Sequence, residues 1–306
     1  MSQRFELTIL GSGSASPTSK RNPSSQVLNI GDKLYLIDCG EGTQVALRKN
    51  KIKFQRIEHI FISHLHGDHY LGMQGLLSTF SLLGRSKDLH IYSPKGLKEI
   101  CELQFKISRS YPTFFIHYHE VKTSEKSSIL ETDQLNVYAF PLKHRIETYG
   151  YLFKEKKKPL HINGPVAKAY NIPHYAFEKL KQGEDFIDPE TNEQIANKEL
   201  TLAAGKSYSY AYCSDTAYLP ELSEIVKNVD LLYHETTFME KDVKLAKKTH
   251  HSTCKEAAMI AKGANAGKLL MGHYSARYPD LDLMKEECRS IFPESYLSHD
   301  GDIIKV

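Results

Sequence analysis

The chain has 306 residues, 41% of them hydrophobic and 25% charged, a globular composition long enough to bury a full core, which excludes a disordered or fibrous protein. Forty Lys and Arg stand against 37 Asp and Glu, a net charge of only +3, so overall charge does not announce a nucleic-acid partner and any such partner must meet a local patch. Five scattered cysteines without a Cys-x-x-Cys pair argue against a disulfide framework or a thiolate zinc site and point to a reducing cytoplasm, while the lack of a leader-like segment or an unbroken apolar run excludes visible secretion and membrane signals.

Residues 5–9 alternate like a strand, and residues 26–30 and 34–37 follow as an antiparallel ribbon about Gly31-Asp32. A short helix over 43–48 leads to the apolar strand 59–62 and then a helix over 70–83. The same strand, loop, helix order recurs as 208–213 with 219–227, 231–234 with 253–262, and 268–271 with 281–291. Strands alternating with helices in both halves predict an α/β fold with αβ/βα layering in a single domain spanning 1–306. Between the halves, residues 154–198 lose this pattern to Pro159, Gly164-Pro165, Pro173, Gly183, Pro189 and many charges, and read as an insertion projecting from the core.

The informative count is 15 histidines, because imidazole is the commonest metal ligand and acid or base near neutral pH. His64-Leu65-His66-Gly67-Asp68-His69 follows directly on a buried strand, so four nitrogen or oxygen donors leave one strand end within six residues. Histidines two apart on extended backbone point the same way, and Gly67 is expected to permit a tight turn carrying Asp68 and His69 to a neighbouring position. His144, Asp215 and His273 each lie just beyond another strand's end, where α/β folds build their sites. Any one of these three alone reads as a hydrogen-bonded loop residue. Together they make five imidazoles and two carboxylates, enough for two Zn²⁺ per subunit if one carboxylate bridges. His64, His66 and His144 are assigned to one ion, Asp68, His69 and His273 to the other, and Asp215 to the bridge. Manganese or iron suits the same donors.

These residues resemble the metallo-β-lactamase superfamily, whose hallmark is the His-x-His-x-Asp-His run. Further motifs resemble ribonuclease Z, the tRNA 3′-processing family, over almost the whole chain: Gly11-Ser12-Gly13-Ser14-Ala15, Asp38-Cys39-Gly40-Glu41-Gly42-Thr43-Gln44, Ser214-Asp215-Thr216, His234-Glu235-Thr236-Thr237-Phe238, His251-Ser252-Thr253 and Gly272-His273-Tyr274-Ser275-Ala276-Arg277-Tyr278. The resemblance implies a four-layer αβ/βα metallo-β-lactamase sandwich with a protruding arm, cutting precursor tRNA to leave a 3′-hydroxyl on the tRNA and a 5′-phosphate on the trailer. It implies that Asp68 is both ligand and proton acceptor, and that His251, oriented by Glu235, is the acid for the departing oxygen. Arg277 and Lys20 or Arg21 are implied phosphate contacts. The insertion takes the place of the family's tRNA-gripping arm, with Lys154, Lys156, Lys157, Lys158, Lys179 and Lys181 as its contacts. The family's Gly-Pro step after Ile172-Pro173 is replaced by His174-Tyr175-Ala176-Phe177, a departure in the arm. A homodimer is likewise implied. Rival readings are another hydrolase of the same fold, acting on small phosphodiesters, sulfate esters, lactones or β-lactams, and a non-catalytic RNA-binding subunit. The basic insertion and the His251 motif favour RNA, and the intact ligand set favours an enzyme.

Overall fold

The computed structural model describes residues 4–306. Two seven-stranded sheets form its middle. The first has the strand order Ile303–Lys305, Phe5–Gly11, Ser25–Ile30, Lys33–Cys39, Ile57–Phe61, Leu89–Ser93, Ile116–Glu120. The second has the order Ser295–Leu297, Lys268–Gly272, Leu231–Glu235, Ser209–Cys213, Tyr149–Glu155, Leu135–Pro141, Ser127–Glu131. Each sheet is antiparallel at one end and parallel at the other. The opening ribbon closes at Gly31 and Asp32, both in left-handed backbone with φ of 55° and 67°, as a two-residue turn that matches strand twist requires. In the parallel half, Leu231–Glu235 is buried at every position, as a strand covered on both faces must be.

Aromatic side chains fill the space between the sheets, with Phe61 edge-on to Phe153 at 5.1 Å and Tyr35, Tyr151, Tyr210, Tyr212 and Tyr233 around them. Helices Thr43–Lys49, Met73–Leu82 and Leu97–Ser108 cover the outer face of the first sheet through Leu47, Leu76, Phe80 and Cys101. Helices Cys254–Gly263 and Asp282–Arg289 cover the second through Ala257, Ile260, Ala261 and Met284. The order helix, sheet, sheet, helix is the expected four-layer sandwich.

Local details differ from expectation for identifiable reasons. The helix expected over 70–83 is two pieces, Gly67–Tyr70 and Met73–Leu82. The join presses against the Cys39-Gly40 loop so closely that a Cβ on Gly72 would lie 2.2 Å from the Gly40 carbonyl oxygen. The helix expected over 219–227 shrinks to Leu222–Ile225. Sequence patterning marks nothing over 84–126, where the structure has Leu89–Ser93, Leu97–Ser108 and Ile116–Glu120.

The insertion starts later than residue 154. Lys154 and Glu155 belong to the strand Tyr149–Glu155, paired with Asn136 and Leu135, so the chain leaves the sheet only after Glu155 and re-enters it at Ser209. The excursion has a small core of its own. Ala167, Ile172, Ala176, Leu180, Phe186, Ile195 and Leu200 pack together among the helices Gly164–Ala169, Phe177–Gln182 and Asn197–Leu200. Where the family's Gly-Pro step is missing, His174–Ala176 makes one 3₁₀ turn into Phe177–Gln182, which Gly183 ends at φ 98°. Ala176 and Leu180, four apart, then face the same side and reach that core.

Candidate metal centre

The seven candidate ligands converge from four strand ends. His64, His66, Asp68 and His69 follow Ile57–Phe61, His144 follows Leu135–Pro141, Asp215 follows Ser209–Cys213, and His273 follows Lys268–Gly272. His66 is still extended, with φ −75° and ψ 145°, and Gly67 opens the short helix Gly67–Tyr70. The expected tight turn is present, closed by the His69 N–H on the His66 carbonyl at 3.0 Å, but Gly67 itself is not in left-handed backbone. Its lack of a side chain instead makes room for Leu71, whose Cδ1 would sit 2.8 Å from an added Cβ.

Two groups of donors result. In the first, His64 Nε2 lies 3.0 Å from His66 Nδ1, which lies 3.2 Å from His144 Nε2. Asp215 Oδ2 is 3.5 Å from His64 Nε2 and 3.8 Å from His144 Nε2. In the second, Asp68 Oδ2 is 3.4 Å from both His69 Nε2 and His273 Nε2, and Asp215 Oδ1 is 3.4 Å from His69 Nε2 and 3.1 Å from His273 Nε2. Donors about 2.0 Å from one tetrahedral ion stand about 3.3 Å apart, and these separations bracket that spacing. His69 Nε2 and His273 Nε2 are buried and make no hydrogen bond, the state of a nitrogen whose lone pair is reserved for an ion. His251 also comes within ligand reach of Asp215 and His273, but both groups are complete without it.

A buried carboxyl group braces each half. Asp38, fully buried, accepts from His69 Nδ1 at 2.7 Å, Ser63 N–H at 2.7 Å, Ser63 Oγ at 2.9 Å and Tyr212 hydroxyl at 2.6 Å. Ser63 Oγ in turn lies 3.0 Å from His64 Nδ1. On the other side, Glu235 accepts from His251 Nδ1 at 2.9 Å, from Thr216 N–H at 2.9 Å and from the Thr237 hydroxyl, whose oxygen is 2.8 Å from His273 Nδ1. His144 Nδ1 donates to the His250 carbonyl at 2.9 Å. Such partners fix which ring nitrogen would face an ion and hold the ring's angle. Asp38, Ser63 and Thr237 were not singled out from sequence as metal-site partners. The signal was present for Asp38, which sits at the end of strand Lys33–Cys39 just as the ligands sit at theirs.

The charges are arranged for a cation. Burial holds His64 and His66 below the ordinary imidazole range and His144 down at about 4, so the first group is neutral and ready to donate. Burial also opposes charge on His69, but Asp215, Asp68 and Asp38 outweigh it and hold that ring well above its ordinary value. The carboxylates therefore demand positive charge among them, which a divalent ion supplies in place of a proton. His251 is likewise opposed by burial, yet Glu235 and Asp215 push it up to about 9.

The His251-Ser252-Thr253 motif divides its labour. His251 faces a cavity of about 490 Å³ together with Asp68, Asp215 and His273. Ser252 Oγ donates to the Thr216 carbonyl at 2.7 Å, and Thr253 caps helix Cys254–Gly263 in a reciprocal box with Glu256. Ala15, at φ 55°, donates its N–H to Asp68 Oδ2 at 2.7 Å, so the loop after the first strand holds a candidate ligand as well.

The expected phosphate contacts fare unequally. Arg21 donates to the Tyr278 carbonyl at 2.6 Å and lies over the Tyr274 ring, bracing one loop against another. Arg277 is exposed over Phe238 beside the cavity. Lys156 pairs with Glu131 at 2.6 Å, and Lys158 pairs with Glu155 at 3.0 Å. Lys20, Lys157 and Lys179 are exposed, and Lys181 is half-buried in the insertion.

Known proteins share this arrangement of chain. The family model described as Anti-Pycsar protein Apyc1 matches residues 5–161, just over half of the chain. The protein named Ribonuclease Z of Bacteroides thetaiotaomicron is 45% identical over 304 residues, covering 99% of this chain and 96% of that one. The crystal structure of human tRNase Z, short form, superposes with a TM-score of 0.72 at 27% identity, covering 98% of this chain and 99% of that one. The metallo-β-lactamase fold protein YhfI from Bacillus subtilis, at 18% identity and a TM-score of 0.70 over 99% of this chain and 100% of that one, shows the shared fold. The chain therefore belongs to the ribonuclease Z family, phosphodiester-hydrolysing nucleases of the metallo-β-lactamase fold, and over residues 5–161 to the family described as Anti-Pycsar protein Apyc1.

Proposed function

We propose that this chain is a zinc-dependent endoribonuclease that removes the 3′ trailer of precursor tRNA, leaving a 3′-hydroxyl on the tRNA and a 5′-phosphate on the trailer. The observation that carries the reading is Asp215, whose two carboxylate oxygens face separate groups of donors, Oδ2 toward His64 and His144 and Oδ1 toward His69 and His273. One ion would sit with His64, His66 and His144, the other with Asp68, His69 and His273, with Asp215 between them. Two divalent ions so placed would make water a usable nucleophile near neutral pH and polarise a phosphoryl oxygen.

The chain's own residues supply the rest. Asp68 Oδ2 is committed to the ligand group and to Ala15 N–H, which leaves Oδ1 to accept a proton from the attacking water. His251 holds Nδ1 on Glu235, so its Nε2 is the atom that gives a proton to the departing 3′-oxygen. Glu235 is a positioning residue for two groups at once, because it also holds Thr237 beneath His273. Lys20 and Arg277 contact phosphate near the cavity, Lys157, Lys179 and Lys181 of the insertion grip tRNA at a distance, and Arg21, Lys156 and Lys158 act chiefly as braces.

A cytoplasmic home is supported by all five cysteines being buried and unpaired. No helix among the described residues is long and apolar enough to cross a membrane. The homodimer rests on the family resemblance, with exposed Leu82, Leu83, Leu103, Ile107 and Phe115 as apolar surface available to a second copy.

The test is cleavage of a 5′-labelled precursor tRNA, with and without chelator, beside a small phosphodiester, a lactone and a β-lactam. A single cut after the discriminator base, abolished by chelator and by Asp215→Ala, is expected. Hydrolysis of the small substrates with the precursor left intact would refute the assignment, and an Asp215→Ala protein that kept two zincs and ordinary turnover would refute the bridge.

A further inference from the structure

Arg145 follows His144 directly, lines the metal-bearing cavity, and is exposed. Its charge is felt at His66, where it disfavours protonation. Yet among the described residues the guanidinium makes no ion pair or hydrogen bond. An arginine beside a site that already calls for divalent cations is repelled unless an anion joins it. The segments that meet next to Arg145 carry more unpaired cations. His144 Nδ1 donates to the His250 carbonyl at 2.9 Å, which brings the His144 loop against the end of helix Val243–Thr249. Lys143 on that loop, and Lys247 and Lys248 in the helix's last turn, are exposed and without a carboxylate partner among the described residues. Glu256, which feels the charge of Lys247, is committed to the Thr253 N–H at 2.9 Å. Basic side chains at a helix C-terminus complement its dipole, which accounts for the two helix lysines but not for Arg145 or Lys143 on the loop.

Resting on the endoribonuclease reading, we propose that Arg145, with Lys143, Lys247 and Lys248 behind it, forms a subsite for a backbone phosphate of RNA adjoining the bond to be cut. A guanidinium's planar fork grips a phosphate through two parallel hydrogen bonds, and a row of flexible ammonium groups follows a polyanion whatever its sequence. Arg21, expected to serve this purpose, is instead engaged with Tyr278 and Tyr274. Among the residues lining the cavity, Arg145 is the one Arg or Lys.

The experiment uses the full-length zinc-loaded protein as wild type, Arg145→Ala and Arg145→Lys, with precursor tRNA cleavage followed over a range of salt concentrations and zinc content measured in each. Arg145→Ala should keep its zinc, raise KM by about tenfold or more with a smaller change in kcat, and flatten the log-log salt dependence by about 0.7 to 0.9 for one lost contact. Arg145→Lys should recover the salt slope but only part of KM, because a point charge lacks the fork. An unchanged salt slope in Arg145→Ala, a loss confined to kcat, or loss of zinc would overturn the subsite while leaving the endoribonuclease reading intact. A wild-type protein that does not cleave the precursor would overturn both.

Discussion

Asp38→Asn tests whether the group beneath the candidate metal ligands matters as much as the ligands. Asp38 is fully buried and accepts four hydrogen bonds, three at Oδ2 from His69 Nδ1, Ser63 Oγ and Tyr212, and one at Oδ1 from Ser63 N–H. Asparagine has the same shape and tolerates the left-handed backbone found here, φ 54°, so the substitution changes charge and hydrogen bonding without backbone strain. An amide offers only one oxygen. Its better orientation keeps that oxygen toward the three donors and turns NH₂ against the Ser63 N–H, leaving a buried donor unsatisfied at about 1–3 kcal/mol. At about 2–4 °C per kcal/mol, the melting temperature in chelator should fall by about 2–12 °C. His69 also loses its charge-assisted partner, so zinc affinity should drop about 10- to 100-fold, the usual effect of removing a group that orients a ligand. Zinc competition against a chromogenic chelator reads the second quantity, and thermal unfolding in excess chelator reads the first. A variant that binds both ions within twofold of wild type and melts at the wild-type temperature would refute the bracing role assigned to Asp38.

Replacing His251 by Ala should leave zinc content nearly intact and slow precursor cleavage by about 10² to 10⁴, with a smaller defect on an activated nitrophenyl phosphodiester whose leaving group needs no proton. Equal losses on both substrates would point to a purely structural His251–Glu235 pair. Replacing residues 160–205 by a short Gly-Ser connection removes the insertion together with its own core, so zinc binding and small-diester hydrolysis should survive while most tRNA cleavage is lost. The salt slope should flatten by about 0.9 for each duplex phosphate contact removed, and unchanged cleavage with an unchanged slope would show that RNA is held elsewhere. His59, stacked between Tyr35 at 5.7 Å and His90 at 5.2 Å, is held down at about 4 by burial and by His90 and His119, against an opposing pull from Glu58. The unfolded chain therefore takes up a proton below about pH 6.5 that the folded chain refuses until about pH 4, so stability is full above that window and is lost as pH falls through it. His59→Phe keeps the stack and should lessen the fall in melting temperature of metal-free protein between about pH 7 and pH 5, whereas parallel curves would exclude His59 from the acid response.

The sequence alone marked the donors of the candidate centre, because that information is local. A run such as His64-x-His66-x-Asp68-His69 at the end of an apolar strand declares its donors, and strand periodicity alone sets the first two histidines on one side. His144, Asp215 and His273 were legible by the same rule, since each ends its own strand. Tertiary structure decided what depends on residues far apart in the chain. It divided Asp215 between two groups of donors and set Tyr212 against Asp38 across 174 residues of sequence. It folded the patternless insertion around seven buried residues of its own, none of which shows a long enough period to be read alone. It also sorted the cations. Arg21, Lys156 and Lys158 look like Arg145 and Lys157 in sequence, but the first three meet oxygens brought to them from elsewhere in the chain, the Tyr278 carbonyl, the Glu131 carboxylate and the Lys206 carbonyl, and the latter two do not. A side chain's type is fixed by its own codon, whereas whether its charge is free for a substrate depends on which oxygen the fold delivers within reach.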